Sequence, residues 1–214
     1  MKNQHIKNTF FSKYFKALIC LVLFLGSQSI KADVNLSEVP KGDYKLDRSH
    51  ASIVWKVKHL GLSSYVARFT DFDMQLTLDA DDISKSRVAA QINAASINTE
   101  NERFNKDLIG DKWFKTEKFP TITFNSTAYS PQSETEGTLT GEIEMFGIKK
   151  PVIFDVILGG TVEDHAFIGN AAGIGFTASS VIKRSDWNFS KLSQFVGDEV
   201  IIEISAEFYK EKIN

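Results

Sequence analysis

The chain has 214 residues, 25 basic and 27 acidic side chains, and a single cysteine. Without residues 1–32, which hold five lysines and no acid, 182 residues remain with 20 basic against 27 acidic side chains, a net charge of −7. That length suits one domain. The acidic balance argues against nucleic acid and against electrostatic docking on anionic lipid, and a chain without cysteine excludes disulfides, thiolate metal sites and cysteine nucleophiles.

Residues 1–32 have the layout of a cleaved secretory signal peptide. Lys2, Lys7, Lys13 and Lys16 precede the apolar run Ala17 to Leu25, and the small polar stretch Gly26 to Ala32 follows. The run is short of the ~20 residues a bilayer span requires, which disfavours an uncleaved anchor. Cleavage is expected after Ala32, with Ser29 the second choice. Cys20 sits inside the run behind Ile19 rather than behind a small residue at its end, so it is not read as a lipidation site. It leaves with the signal. Residues 33–214 are then an exported, periplasmic domain, led in by the short segment Asp33 to Lys41.

From Tyr44 the apolar residues recur with period two, the rhythm of half-buried strands. The lines run Ile53, Trp55, Val57; Phe72, Met74, Leu76, Leu78; Val88, Ala90, Ile92, Ala94; and Ile122, Phe124. They continue as Leu139, Gly141, Ile143, Met145; Val152, Phe154, Val156, Leu158; Ile174, Phe176, Ala178; and Val200 to Phe208. Turn signals stand at Gly147, Gly159-Gly160 and Gly197-Asp198. Many antiparallel strands, each with one apolar face, make an all-β barrel or sandwich. One segment breaks the rhythm, a helix and turn insertion at about residues 99–118. Thr99 and Glu102 read as a capping box opening a helix through about Leu108, a turn follows at Asp111 to Phe114, and Phe119-Pro120 ends it. Phe104, Leu108 and Ile109 fall at helical spacing and are expected to lie against the sheet, across a barrel mouth.

Catalytic constellations are weak. Asp47, His50 and His59 offer carboxylate and imidazole for zinc or copper, but the two histidines are an odd number of residues apart. A further ligand would have to come from afar, such as His165. No metal is expected. No G-x-S-x-G elbow marks a serine nucleophile. Arg184 and Asp186 read better as a structural clamp beside Trp187 than as an acid–base pair. Gly169 to Gly175 lies among strands with no helix after it, unlike a phosphate loop. No catalytic residue is assigned, and an enzyme is not expected.

The chain has 17 phenylalanines, of which Phe10, Phe11, Phe15 and Phe24 lie in the signal. Most suit a core. An eight-stranded barrel, however, is just wide enough either to fill with side chains or to hold one small ligand, and sequence alone leaves both open.

Several segments resemble the YceI-like family of polyisoprenoid-binding, lipocalin-like periplasmic proteins. They are Tyr44-Lys-Leu-Asp47 with His50, Val57-Lys-His-Leu-Gly61, Ala67-Arg-Phe69 with Phe72, and Ser96-Ile-Asn-Thr99. Arg103, Leu108, Trp113-Phe114, Phe119-Pro120 and Thr123-Phe-Asn-Ser126 follow in the family's order. Leu139-Thr-Gly141, Gly147 to Val152 and Arg184-Ser-Asp-Trp187 complete the set. The likeness runs from about Tyr44 to Phe208. Departures are Ala51 in place of the usual serine, Ala67 and Asn188 where glycine is common, and a different spacing from Arg103 to Leu108.

The resemblance implies an eight-stranded antiparallel barrel around a tunnel for a polyisoprenoid or similar long-chain lipid, plausibly quinone-related, often in a homodimer. No cofactor other than the bound lipid is implied. On that basis the tunnel wall is expected to include Trp55, Val57, Phe69, Phe72, Met74, Leu76, Ile92, Phe104, Leu108, Trp113, Phe124, Ile143 and Phe154. Head-group contacts are expected from His59, Arg103 and Arg184. The role is transport, storage or scavenging, with transient contact to a membrane redox or lipid-handling protein. Two alternatives stand beside it: an enzyme acting on a lipid head group through His50, His59 or Asp186, and a periplasmic stress-response protein that binds a partner at the barrel rim.

Overall fold

A computed structural model describes residues 34–165 and 171–210; the signal peptide and Cys20 lie outside the described residues. Eleven strand segments are present: β1 (Gly42–Leu46), β2 (Ser52–His59), β3 (Ser63–Phe69), β4 (Phe72–Leu78), β5 (Arg87–Asn93), β6 (Ile97–Asn98), β7 (Thr121–Pro131), β8 (Glu136–Met145), β9 (Ile148–His165), β10 (Ala171–Lys183) and β11 (Val196–Lys210). One helix, α1 (Glu102–Ile109), lies between β6 and β7.

The eleven segments form eight strands of one antiparallel barrel. β1 and β2 both pair with β11 and are two halves of one strand, interrupted at residues 47–51. β3 and β4 are the halves of the second, which pairs with both parts of the first. β5 and β6 are the halves of the third. β7 to β11 then follow as a meander, and β11 returns to the first strand, so the sheet closes. Among the described residues closure removes most of the edge that an open sheet would expose, and only the outer sides of β6 and of residues 63–67 in β3 stay unpaired. The three interruptions are lateral neighbours: Thr70 N donates to Ser96 O at 3.1 Å and Asn93 N to Asp71 O at 3.0 Å.

Period two does what it should inside this frame. In β4, Phe72, Met74, Leu76 and Leu78 are buried and the residues between them exposed. β8 turns into β9 through Phe146 and Gly147, with φ of 57° and 74°. Both central residues in the left-handed region make the two-residue hairpin whose twist suits flanking strands. The lead-in also belongs to the fold, because Val39 is buried and Asn35 N bonds Thr161 Oγ1 at 2.8 Å.

Three local expectations need correction. Gly159-Gly160 makes no turn; it lies within β9, where Gly160 pairs with Gly175 and Leu158 with Phe176, so one extra residue forms a bulge. Gly197-Asp198 is a second irregularity, inside β11 between the residues paired with His59 and Val57. The helix cap is Asn101, whose Oδ1 accepts from Phe104 N at 3.1 Å, not Thr99. Thr99 Oγ1 instead donates to Asn105 Oδ1 at 2.7 Å. Asn is as good a cap as Thr, and starting the helix there lets Thr99 tie its first turn to the strand before it.

Candidate functional site

The barrel is not filled. A cavity of about 360 Å³ lies inside it, within the range of ~300–1,000 Å³ typical of small-molecule sites. The wall is apolar almost throughout, its polar members being His59, Ser86, Thr123 and Arg184 with the phenols Tyr65 and Tyr129. Small inward side chains explain the space. Ala90, Ala178 and Ala206 face the lumen among larger neighbours on β5, β10 and β11.

Of the sixteen residues expected at a ligand site, fourteen line this cavity. They are Trp55, Val57, His59, Phe69, Met74, Leu76, Ile92, Phe104, Leu108, Trp113, Phe124, Ile143, Phe154 and Arg184. Phe72 is a correction: it is buried, but in the packing beside the strand interruption rather than on the cavity wall. Arg103 is another. It is exposed on α1, in a surface depression with Asn101 and Asp107 that adjoins the cavity through Tyr65 and Phe104. Its helix turns Phe104 and Leu108 inward, and Arg103 therefore outward. Further wall residues are Ile182, Ile202, Ile204 and Phe208, which sit on period-two lines and could have been assigned by parity alone.

One end of the cavity is roofed by aromatic rings. Phe104 meets Tyr65 edge-on at 5.5 Å and Trp113 at 6.3 Å, while Trp113 meets Phe189 at 6.0 Å. Phe114 contacts Phe69 and Phe189 at 6.1 and 5.2 Å. The insertion at 102–119 thus lies across this end, as its helical spacing suggested. Exposed His59 stands at the same rim.

Arg184 touches the cavity but is committed to the main chain. Its Nε donates to Gly197 O, Nη1 to Phe189 O and Lys191 O, and Nη2 to Val196 O, all at 2.8–2.9 Å. Burial pulls its guanidinium below the ordinary value, and the Asp198 carboxylate opposes that pull. With most of its donors spent on carbonyls, Arg184 is a clamp that ties residues 189–191 to the start of β11, not a free head-group ligand. Asp186 is exposed and takes no part in it. Trp187, 1 % exposed, points its Nε1 at Ile143 O, 3.4 Å away. Asn188 holds φ 58°, so asparagine occupies a left-handed position that glycine would also suit.

Two polar features remain. The Trp55 Nε1–H is buried and has no acceptor among the described residues. His50 Nδ1 lies 2.9 Å from Asp47 Oδ2 and 4.0 Å from Glu207 Oε2, and these three could together hold a metal ion. His59 stands at the other end of β2 and cannot join them. His165 adds nothing here, since its side chain lies outside the described residues.

The YceI-like domain family matches residues 44–208. A relative, the UPF0312 protein plu2095 of Photorhabdus laumondii, is 34% identical over 181 residues, covering 84% of this chain and 92% of its own. The chain belongs to the YceI-like family. Among solved structures, the Campylobacter jejuni YCEI protein has a TM-score of 0.66 and 28% identity, over 72% of this chain and 90% of its own. A Saccharophagus degradans domain described as polyisoprenoid-binding has a TM-score of 0.59 at 11% identity, over 78% of this chain and 98% of its own. At that identity the likeness is one of fold, the closed barrel with a helix across one end.

Proposed function

We propose that this YceI-like protein is an exported carrier that holds a polyisoprenoid or similar long-chain lipid inside its barrel. The observation that carries this reading is the apolar cavity. Water is a poor filler for an apolar wall, whereas each hydrocarbon CH₂ buried there contributes about 0.8 kcal/mol. A tail therefore supplies affinity without any catalytic group. The polyisoprenoid-binding description of the Saccharophagus degradans domain supports the same ligand class.

The head group then sits at the aromatic rim near His59, and a quinone or another small polar end fits that position. Export follows from the reading of residues 1–32. The role is transport, storage or scavenging, with a membrane redox or lipid-handling protein as the exchange partner. Self-association is part of the same reading. Val181, Ile201, Lys56 and Val66 are successive cross-strand partners, and their three exposed aliphatics offer an outer stripe for a second copy.

The test is organic extraction of protein purified from its own host, followed by mass spectrometry of the extract. A stoichiometric isoprenoid lipid is expected. Extracts that hold no lipid above the level of a control periplasmic protein overturn the reading.

A further inference from the structure

The cavity's rim carries exposed apolar side chains that no core requires. The β2–β3 turn, residues 60–62, and the segment 188–195 lie side by side, joined by a hydrogen bond from Leu60 N to Phe195 O at 2.6 Å. On them Leu60, Leu62, Leu192 and Phe195 are 50, 83, 45 and 48% exposed. Leu60 and Leu192 both have φ of 55°, an unfavourable conformation for leucine that the surrounding structure must enforce. Arg184 does part of this, because two of the carbonyls it grips, Phe189 and Lys191, belong to the second segment. The rim is built, not frayed.

Its place identifies the occupant. His59, next to Leu60, and Val196, next to Phe195, both line the cavity. The second segment carries Lys191, Lys58 stands two residues before the first, and neither segment holds an acidic residue, on a domain of net charge −7. We propose that this rim is a membrane-docking surface, on which Leu60, Leu62, Leu192 and Phe195 enter the acyl boundary of a phospholipid bilayer. The lysines then lie at the level of the phosphates, and a hydrocarbon tail passes from bilayer to cavity without crossing water. This rests on the lipid-carrier reading, since a bilayer is the natural occupant only if the mouth passes lipid. Scattered apolar side chains with little charge make an interfacial anchor that depends on buried area more than on lipid charge.

Vesicle flotation of the mature protein tests it, with pure phosphatidylcholine vesicles and with vesicles containing phosphatidylglycerol, at low and high salt. The protein is expected to float with both, with only a small salt effect. Leu62→Ser and Phe195→Ser should each weaken the partition by about 10-fold. Neither residue lines the cavity, so uptake of fluorescently labelled geranylgeraniol from solution should be unchanged in both variants. Partition that ignores the substitutions overturns the proposal. So does failure of the wild type to float on any vesicle, which would point to a protein at the rim. Loss of probe uptake together with flotation also overturns it, because the loops would then act on the cavity itself. Flotation that obeys the substitutions in a protein that takes up no probe supports docking and defeats the carrier reading.

Discussion

Arg184 holds Phe189 twice: its Nη1 donates to the Phe189 carbonyl at 2.8 Å, and its guanidinium lies 5.8 Å from the centre of the Phe189 ring. Phe189 in turn touches Trp113, Phe114 and Phe146, so one clamp positions the roof of the cavity and the segment leading into β11. A lysine has one ammonium and no fork with which to reach four carbonyls. Arg184→Lys is expected to lower stability by roughly 2–4 kcal/mol. Urea denaturation measures this, and faster amide exchange confined to residues 188–197 would place it.

Gly141 on β8 lies beneath the Phe124 ring, and a Cβ there would collide with it and with the Asn125 carbonyl. Phe124 packs edge-on against Phe154 at 5.4 Å, so displacing it disturbs the cavity wall. Gly141→Val is expected to cost about 1–3 kcal/mol, the usual range for overpacking. Thermal unfolding reads the loss, and a weaker uptake of labelled lipid should accompany it.

The Asp47–His50 contact sets a pH window. The hydrogen bond from His50, first among several causes, holds the Asp47 carboxyl below its ordinary 3.8. The same bond, with the Asp47 and Glu207 charges, raises His50 above its ordinary 6.5. Stability from His50 is complete below pH 6.5 and is lost as pH rises through its raised folded value. Stability from Asp47 is present above 3.8 and is lost as pH falls through its lowered folded value. The stability difference between the protein and His50→Gln should therefore be largest at roughly pH 4–6.5 and should shrink by about pH 8. Chemical denaturation across that range checks the sign. A difference that grows toward alkaline pH contradicts the assignment.

Tyr44 makes the opposite end of the pH range informative. Burial pushes its phenol up to about 12, and its hydroxyl donates to Pro40 O at 2.6 Å. An unfolded tyrosine ionises near 10, so this contribution holds below about pH 10 and is lost as pH rises toward 12. Tyr44→Phe should flatten the fall in stability across that interval. Thermal unfolding at stepped alkaline pH measures it.

Much of this architecture is legible as alternation. The lines through Phe72 to Leu78 and Leu139 to Met145 put one face inward, and the long match from Tyr44 to Phe208 fixes how the strands follow one another. Local chemistry was less legible. Thr99 and Asn101 are both good caps, and only the tie between Thr99 and Asn105 decides for Asn101. Glycine pairs signal turns, yet at Gly159 and Gly197 the neighbouring strands continue past them and the extra residues become bulges. Arg184 looked available for a head group because a sequence lists side chains and omits carbonyls, and carbonyls are what it binds. The cavity itself depended on the balance of Ala90, Ala178 and Ala206 against the rings around them. Alanines on inward lines were the available signal, but volume across a lumen is a three-dimensional sum.

The same balance supplies the decisive experiment. Ala178 lines the cavity from β10, and a phenylalanine there would occupy the space meant for a tail. Native mass spectrometry of the protein and of Ala178→Phe, both purified from the original host, compares them directly. The account predicts a lipid-sized mass on the unaltered protein and none, or far less, on Ala178→Phe, which should remain folded. Equal loading of the two, or no adduct on either, contradicts a lipid held in the barrel.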